Sequence, residues 1–151
     1  MSVTFSLDRP DSEIALALIQ ELDADLGSRY PGQWIHGLHP EDVGDPRLVF
    51  VVVYCDSQAA GCGALRPLDS QMTEVKRMYV KREFRGLGYA RKLLEFLETI
   101  ARTSGFIVVR LETGTKQPES IGLYESSGYL QIPAYGEYLG NPFSLCYEKK
   151  L

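Results

Sequence analysis

The sequence predicts one α/β domain over residues 1–151, with a central mixed, largely antiparallel twisted sheet flanked by helices. Three observations support this fold class. Apolar runs of strand length follow one another between residues 48 and 80, with turns between them. An amphipathic helix after Gly88 separates two further strands, and such a β-α-β crossover makes its strands parallel. The chain has 151 residues, which suits one ordinary domain with its own core.

The first third of the chain predicts a strand, a helix and a long connection. Residues 3–7 alternate apolar and polar side chains, which is typical of a strand. Asp11 and Ser12 can cap the helix that follows. The inward stripe of that helix is Ile14, Leu18, Leu22 and Leu26. Residues 27–47 are rich in Gly, Pro and His, and we expect a long connection holding a short helix, of the kind that often carries function.

The middle of the chain predicts a meander of antiparallel strands. Residues 48–55 form a continuous apolar run, the pattern of a strand buried on both faces. Residues 59–68 and 73–80 form the next two strands. On the second of these, strict alternation places Glu74, Lys76, Met78 and Val80 on one face.

The last third predicts the crossover helix and the strands that close the sheet. The helix buries one apolar face and ends at Gly105, and the strand at residues 106–113 follows it. A short helix over residues 118–127 begins with Pro118, which suits a first helical turn, and ends at Gly128. Residues 129–132 and 144–149 form the closing strands.

Composition and charge exclude several classes of protein. The formal net charge of −4 argues against a nucleic-acid partner, because general nucleic-acid binders carry a basic excess. Basic residues concentrate between Lys76 and Lys92, which suits a small polyanion. No apolar signal segment opens the chain and no run approaches a membrane span, so we expect a cytoplasmic protein without a membrane partner.

The cysteines and histidines do not predict a metal site. Cys55, Cys62 and Cys146 each lie in an apolar, strand-like run, and we expect buried thiols. His36 and His39 form a His-x-x-His pair that has no evident third ligand. We therefore expect no bound metal.

The segment from Arg85 to Ala90 predicts a phosphate site. It reads Arg-Gly-Leu-Gly-Tyr-Ala and joins a strand to an amphipathic helix. Glycines at a helix mouth leave its unpaired backbone N–H groups open to an anion, and the helix dipole adds to the attraction. A dinucleotide fold is the rival interpretation, but it needs a third small residue where Arg91 stands and further β-α units after the turn.

This segment resembles the Arg/Gln-x-x-Gly-x-Gly/Ala signature of the GNAT family of N-acetyltransferases. A second stretch, Leu-Tyr-Glu-Ser-Ser-Gly-Tyr over residues 123–129, resembles that family's Leu-Tyr-x-x-x-Gly-Phe/Tyr segment. The order of strands and helices over residues 48–132 is similar as well. The resemblance implies the acyl-CoA N-acyltransferase fold and an enzyme that transfers an acetyl group from acetyl-CoA to a primary amine.

The resemblance also implies where acetyl-CoA binds. Its pyrophosphate lies against the backbone of a six-residue segment: Arg85, Gly86, Leu87, Gly88, Tyr89 and Ala90. Its pantetheine arm runs beside a three-residue stretch of the preceding strand: Met78, Tyr79 and Val80. Gln117 stands where the family often has an Asn that contacts this arm, and Arg91 adds positive charge near the phosphates, as Lys81, Arg82 and Lys92 do.

Direct attack of an amine on a thioester needs a base, a polarised carbonyl and a proton donor for the thiolate. The resemblance assigns Tyr124 as the donor and Glu74 as the base, with a water chain as the alternative base. A backbone N–H near Met78 polarises the carbonyl. Glu112 is the candidate for binding a cationic substrate, and Tyr30 and Tyr138 lie in segments that flank the acceptor channel in the family.

The expected partner is a small-molecule amine such as an amino acid or a polyamine. Protein or peptide acetylation stays open, as does a non-catalytic acyl-CoA-binding module on the same fold. The family often dimerises through its C-terminal strands, so a homodimer is possible.

Overall fold

The computed structural model describes residues 2–151, and it confirms a mixed sheet flanked by helices. The seven strands are β1 (Val3–Asp8), β2 (Val49–Cys55), β3 (Gln58–Pro67), β4 (Met72–Val80), β5 (Val108–Gly114), β6 (Leu130–Ile132) and β7 (Ser144–Lys150). The four α-helices are α1 (Glu13–Gly27), α2 (Pro40–Val43), α3 (Tyr89–Thr103) and α4 (Pro118–Ser126). None of the helices within residues 2–151 has the length and apolar character that a bilayer crossing requires.

The strand order is β1-β2-β3-β4-β5-β7-β6, and β4 and β5 are its parallel pair. The other neighbouring strands are antiparallel. Helix α3 connects β4 to β5, so the predicted β-α-β crossover is confirmed. All seven predicted strands are present, and their ends differ from the predicted ends by at most two residues.

The sheet is buried on both faces because helices cover each of them. On β2, Val51 and Val53 pack toward α3, in a cluster that contains Leu93 and Leu97. The alternate β2 residues pack in a second cluster with Leu18 of α1. This two-sided burial explains why β2 reads as a continuous apolar run.

The buried stripe of α1 differs from the predicted one by one position. Ser12 caps the helix as expected, and its side chain accepts a hydrogen bond from Ala15 N. Ile14, however, is 41% exposed, whereas Ala15 is fully buried beside Leu18. The prediction for Ile14 was wrong because the small Ala15 was not counted as a core residue.

A β-bulge in β4 corrects the predicted alternation along that strand. Arg77 has φ +57°, and the register with β3 shifts between the pairs Cys62–Tyr79 and Ala64–Lys76. The extra residue reverses the faces beyond it. Met78 therefore packs in the α3 cluster, on the opposite face from Glu74 and Lys76.

Gly61 is required by the close approach of β3 and β4. A Cβ built on Gly61 would lie 2.3 Å from the backbone oxygen of Tyr79. We expect Gly61→Ala to lower the free energy of unfolding by about 2 kcal/mol or more, because backbone atoms cannot rotate away from the new methyl group. Urea denaturation followed by circular dichroism measures this.

Gly27→Ala is the matched control, because a Cβ at Gly27 meets no atom within 4 Å. It should leave the urea midpoint unchanged or raise it slightly. An equal loss of stability in both variants would contradict the assignment of the Gly61 effect to crowding between the strands.

Candidate active site

Two cavities meet where β4 and β5 separate. These strands pair from Met72 to Val75 on β4 and no further along that edge. The first cavity, here called the groove, has a volume of about 300 Å³ and follows β4 to the amino-terminal end of α3. The second, the inner cavity, has a volume of about 90 Å³ and lies between the open ends of the two strands. Both cavities are lined by Leu22, Met78, Gln117, Ser120 and Tyr124.

The glycines of the turn leave open space at the mouth of α3. Gly86 and Gly88 have φ values of +78° and +83°, which L side chains rarely adopt. A Cβ at either position would meet no protein atom within 4 Å, so the space beside this backbone is free for a ligand. Both residues line the groove, and the first N–H groups of α3 lie next to them. The turn therefore has the geometry of an anion site.

The side chains of this segment point to several different places. Arg85 folds back, and its Nε donates to the Val80 backbone oxygen at 2.8 Å. Tyr89 is buried, and its hydroxyl lies 3.1 Å from Cys55 Sγ. Its contribution to the groove wall is therefore its backbone. Leu87 is 48% exposed and its side chain is not part of the groove wall. Tyr79 and Ala90 line the groove.

Arg91 connects the two helices on either side of the groove. Its guanidinium donates to Ser126 Oγ at 2.8 Å and to Ser127 Oγ at 3.1 Å. These contacts hold the beginning of α3 to the end of α4. Arg91 also lines the groove, where its positive charge lies near the turn.

Tyr124 stands at the junction of the two cavities. The residue is 5% exposed, and within residues 2–151 no side chain or backbone group hydrogen-bonds to its hydroxyl. Burial raises the pKa of Tyr124 well above its ordinary value, and the nearby charge of Glu112 raises it further. The hydroxyl is therefore protonated and available as a hydrogen-bond donor.

Gln117 is oriented by two donors. Its Oε1 accepts hydrogen bonds from the Tyr30 hydroxyl at 3.3 Å and from Gly114 N at 3.2 Å. Gly114 lets Tyr30 approach, since a Cβ there would lie 1.9 Å from the Tyr30 hydroxyl oxygen. Because Oε1 accepts these two hydrogen bonds, the amide nitrogen of Gln117 is the atom left to donate where the groove and the inner cavity meet.

Glu112 is the acidic residue on the wall of the inner cavity. It follows the paired part of β5, and Ser144 Oγ donates to its carboxylate at 2.6 Å. Burial raises the pKa of Glu112 to about 7, although the bond from Ser144 and the charge of Lys76 oppose this rise. A carboxylate with that pKa can accept a proton at neutral pH.

Glu74 does not reach either cavity wall. It is fully buried, with Arg66 Nη1 at 3.2 Å, Lys76 Nζ at 3.9 Å and the Tyr135 hydroxyl in a short hydrogen bond. The carboxylate is thus surrounded by donors from β3, from β4 and from the C-terminal segment, which is the connection between β6 and β7. Its position suits a structural anion better than a group in contact with substrate.

The two predicted tyrosines of the acceptor channel both line the inner cavity. Tyr30 is 8% exposed, and its hydroxyl also accepts a hydrogen bond from Lys116 N at 3.0 Å. Tyr138 is 3% exposed, and its hydroxyl accepts from Lys76 Nζ at 3.0 Å. Each tyrosine therefore places an aromatic ring on the wall while its hydroxyl is engaged.

Sequence reasoning missed several residues of the inner cavity wall, among them His36, Arg77 and Thr113. His36 stood out in the sequence only as half of a His-x-x-His pair without a third ligand. Arg77 was not singled out, because the bulge that positions it has no sequence signal. Thr113 looked like an ordinary strand residue.

Comparison with known proteins identifies the family. Residues 17–129 match the model of the acetyltransferase (GNAT) family. The chain is 36% identical over 152 residues to a protein of Azospirillum brasilense named IAA acetyltransferase, and the alignment covers 99% of each chain.

Solved structures agree with this. A protein of Klebsiella pneumoniae described as an acyl-CoA N-acyltransferase superposes with a TM-score of 0.84 at 31% identity, over 99% of this chain and 97% of that one. A GNAT family acetyltransferase of Elizabethkingia anophelis with acetyl-CoA bound shares the fold, with a TM-score of 0.71 at 16% identity over 99% and 98% of the two chains. The chain therefore belongs to the GNAT family of acetyltransferases, enzymes that take their acetyl group from acetyl-CoA.

Proposed function

We propose that this enzyme moves the acetyl group of acetyl-CoA to a primary amine of a small molecule. The proposal rests on one observation. The groove, in which no side chain of residues 2–151 covers the amino-terminal end of α3, joins the narrow inner cavity at Tyr124. A donor molecule in the groove then meets an acceptor in the inner cavity beside a protonated hydroxyl.

The groove suits acetyl-CoA, which supplies the acetyl group as an activated thioester. The open space beside Gly86 and Gly88 admits a pyrophosphate to the N–H groups of α3. The edge of β4 beyond Val75 has no strand partner on the β5 side, so its backbone can pair with an extended arm. The amide nitrogen of Gln117 donates to a carbonyl of that arm.

We assign the base to Glu112 in place of Glu74. Glu112 lines the inner cavity, whereas Glu74 is enclosed by cationic and hydroxyl partners. A carboxylate with a pKa about 7 takes the proton of an attacking ammonium more readily than it would at its reference pKa of 4.5. Glu74 is then a positioning residue that fixes the strand beside the site.

Tyr124 donates to the departing thiolate. The charge of Glu112 opposes ionisation of Tyr124, and that opposition disappears when Glu112 takes up a proton from the amine. The two groups thus act in sequence: proton uptake by Glu112 makes it easier for Tyr124 to give up its own proton.

The size of the inner cavity favours a small acceptor. Its volume of about 90 Å³ is below the roughly 150 Å³ of an apolar cavity that holds benzene. A slender amine of a few heavy atoms fits such a space, and a peptide enters it only with the end of one side chain or its N-terminus.

An amine panel tests the function directly. We expect release of free CoA from acetyl-CoA to accelerate at least tenfold over the amine-free rate with one or more small primary amines, because the inner cavity brings the amine to the thioester. Basic peptides of the same concentration should give smaller rates. Thiol release measured by absorbance follows the reaction.

Tyr124→Phe tests whether the Tyr124 hydroxyl takes part in acetyl transfer at this site. It keeps the ring and removes the hydroxyl, so it should lower kcat at least tenfold with little change in KM for acetyl-CoA. Tight binding of acetyl-CoA with no CoA release across the panel would instead support the non-catalytic binding module.

Gly88→Ala should weaken acetyl-CoA binding. The methyl group would fill the open space at the helix mouth, and the KM for acetyl-CoA should rise at least tenfold. Gly105→Ala is the matched control, since Gly105 also has a positive φ and open surroundings but lies beyond the other end of α3. An equal rise of KM in both variants would show that backbone strain, and not lost ligand space, causes the effect.

Glu112→Gln should lower kcat/KM by a factor of about 10² or more and remove its dependence on a group with a pKa near 7. In the wild type, kcat/KM rises with pH through that value because the carboxylate must be ionised to accept a proton. A variant that keeps the wild-type profile between pH 5.5 and 8.5 would rule Glu112 out as the base.

The pH dependence of the free energy of unfolding gives a second test of Glu112→Gln and shows whether the variant is folded. The folded pKa of about 7 exceeds the reference value of 4.5, so the folded chain binds the extra proton between these values. The free energy of unfolding therefore falls as pH rises through this window. Glu112→Gln removes that loss, and it should be more stable than wild type at pH 8 by up to about 3 kcal/mol, with no gain at pH 4.

A further inference from the structure

Ser144 holds one oxygen of the Glu112 carboxylate. Ser144 begins β7 and pairs with Gly114 of β5, two residues beyond Glu112. Residues two apart on a strand share a face, and paired residues of neighbouring strands do too, so the side chains of Ser144 and Glu112 lie on the same face of the sheet. Ser144 Oγ donates to Glu112 Oε2 at 2.6 Å, a length typical of a hydroxyl bound to an ionised carboxylate. One carboxylate oxygen is therefore fixed.

The other oxygen, Glu112 Oε1, is the one open to the inner cavity. It accepts no hydrogen bond from any group within residues 2–151. It is also not one of the fully enclosed side-chain atoms that lack a partner in that range, which are His36 Nε2, Arg77 Nε and Thr113 Oγ1. Because Glu112 lines the inner cavity, we take Oε1 to be the atom that meets an acceptor amine.

Ser144 reaches Glu112 from behind the cavity wall. It lines neither the groove nor the inner cavity, so it acts on the reaction through Glu112 alone. Its backbone is well fixed: Ser144 N donates to Asn141 O at 3.3 Å, and the adjoining Phe143 O accepts from Thr115 N at 2.9 Å. These contacts tie the beginning of β7 to the end of β5, and they set where the hydroxyl can lie.

The other charged and titratable groups around Glu112 act on it at longer range. Lys76 forms its ion pairs with Glu74 and Glu137, at 3.9 and 3.4 Å, and within residues 2–151 no cationic nitrogen lies within 4 Å of the Glu112 carboxylate. The groups that feel or exert its charge come from five parts of the chain: Tyr30, Glu74, Lys76, Tyr124, Glu137, Tyr138 and Cys146. The bond from Ser144 is therefore the direct polar contact of this carboxylate.

We propose that Ser144 is the positioning residue of the base, whose hydroxyl holds Glu112 Oε2 so that Oε1 faces the acceptor amine. This inference rests on the proposed function and adds to it a residue outside both cavities. In the step that it serves, an N–H bond of the ammonium breaks, the electron pair stays on nitrogen, and the proton forms an O–H bond with Oε1. A hydrogen bond to the charged form favours that form, so Ser144 also helps Glu112 to lose the proton before the next turnover.

Ser144→Ala tests the assignment through the pH profile of kcat/KM. The Ser144 bond lowers the pKa of Glu112, so its removal should move the inflection near pH 7 upward by about one pH unit. At pH 6, where less of the carboxylate is then ionised, kcat/KM should fall by about tenfold or more. Ser144→Thr keeps a hydroxyl and should retain the wild-type inflection. An unchanged inflection in Ser144→Ala would overturn the inference.

Tyr147→Phe is the matched control for these variants. Tyr147 also lies on β7, and its hydroxyl donates to a carboxylate, that of Glu125, at 3.1 Å. Neither residue lines the groove or the inner cavity. The variant should keep the wild-type inflection and a kcat/KM within about twofold of the wild-type value. An equal upward movement in Tyr147→Phe and Ser144→Ala would show a general disturbance of β7 and would also overturn the inference.

A double-mutant cycle separates this inference from the function on which it rests. If Ser144 acts through Glu112, adding Ser144→Ala to Glu112→Gln should change kcat/KM by less than about twofold. A further loss of about tenfold would mean that Ser144 acts by another route, and the base assignment would stand without it. A wild-type profile in Glu112→Gln itself would instead remove the base from the proposed function.

Thermal unfolding gives a readout that needs no acceptor. Without the Ser144 bond the folded pKa of Glu112 lies still further above its reference value of 4.5, so Ser144→Ala should lose more stability than the wild type as pH rises from 7 to 9. Its melting temperature should fall below that of the wild type by about 4 °C more at pH 9 than at pH 5. Tyr147→Phe should show the same difference from wild type at both pH values. A pH-independent difference for Ser144→Ala would contradict its direct action on Glu112.

Discussion

The separation of β4 from β5 is the constraint on which the rest of the site depends. The two strands pair up to Val75 and Leu111, and the bulge at Arg77 then turns β4 away. A parallel pair that stops halfway leaves an opening through an otherwise continuous sheet. Helix α3 reaches this opening from one face and the connection after α1 closes it from the other. The two cavities therefore meet at this opening.

A buried ionic network fixes the wall beside this opening. Asp42 binds Arg66 at 2.8 Å, and Arg66 binds Glu74 at 3.2 Å. Tyr135 then ties Glu74 to the C-terminal segment, so α2, β3, β4 and that segment share one set of contacts. Burying charges costs free energy that their attraction only partly returns, but removing one member leaves the others uncompensated.

Most of the fold was predictable because its signals are local. The apolar run of β2 and the turn at Gly88 each determine an element without help from distant residues. The bulge at Arg77 was not predictable, because a left-handed Arg is imposed by the fit of β4 between its neighbours. The choice between Glu74 and Glu112 as the base could not be made from the sequence for a related reason. Both are strand acids, and they differ only in what surrounds them in three dimensions.

The burial of the cysteine thiols affects whether they can react with CoA, the thiol product of the reaction. Cys55, Cys62 and Cys146 are each 2% exposed or less, and burial raises the pKa of Cys62 to about 12 and also raises that of Cys146. Each turnover releases CoA with a free thiol, the group that exchanges with disulfides. Because the protein offers no exposed thiolate of its own, oxidised CoA has no site at which to form a mixed disulfide. The enzyme is thereby insulated from the redox state of its own product pool.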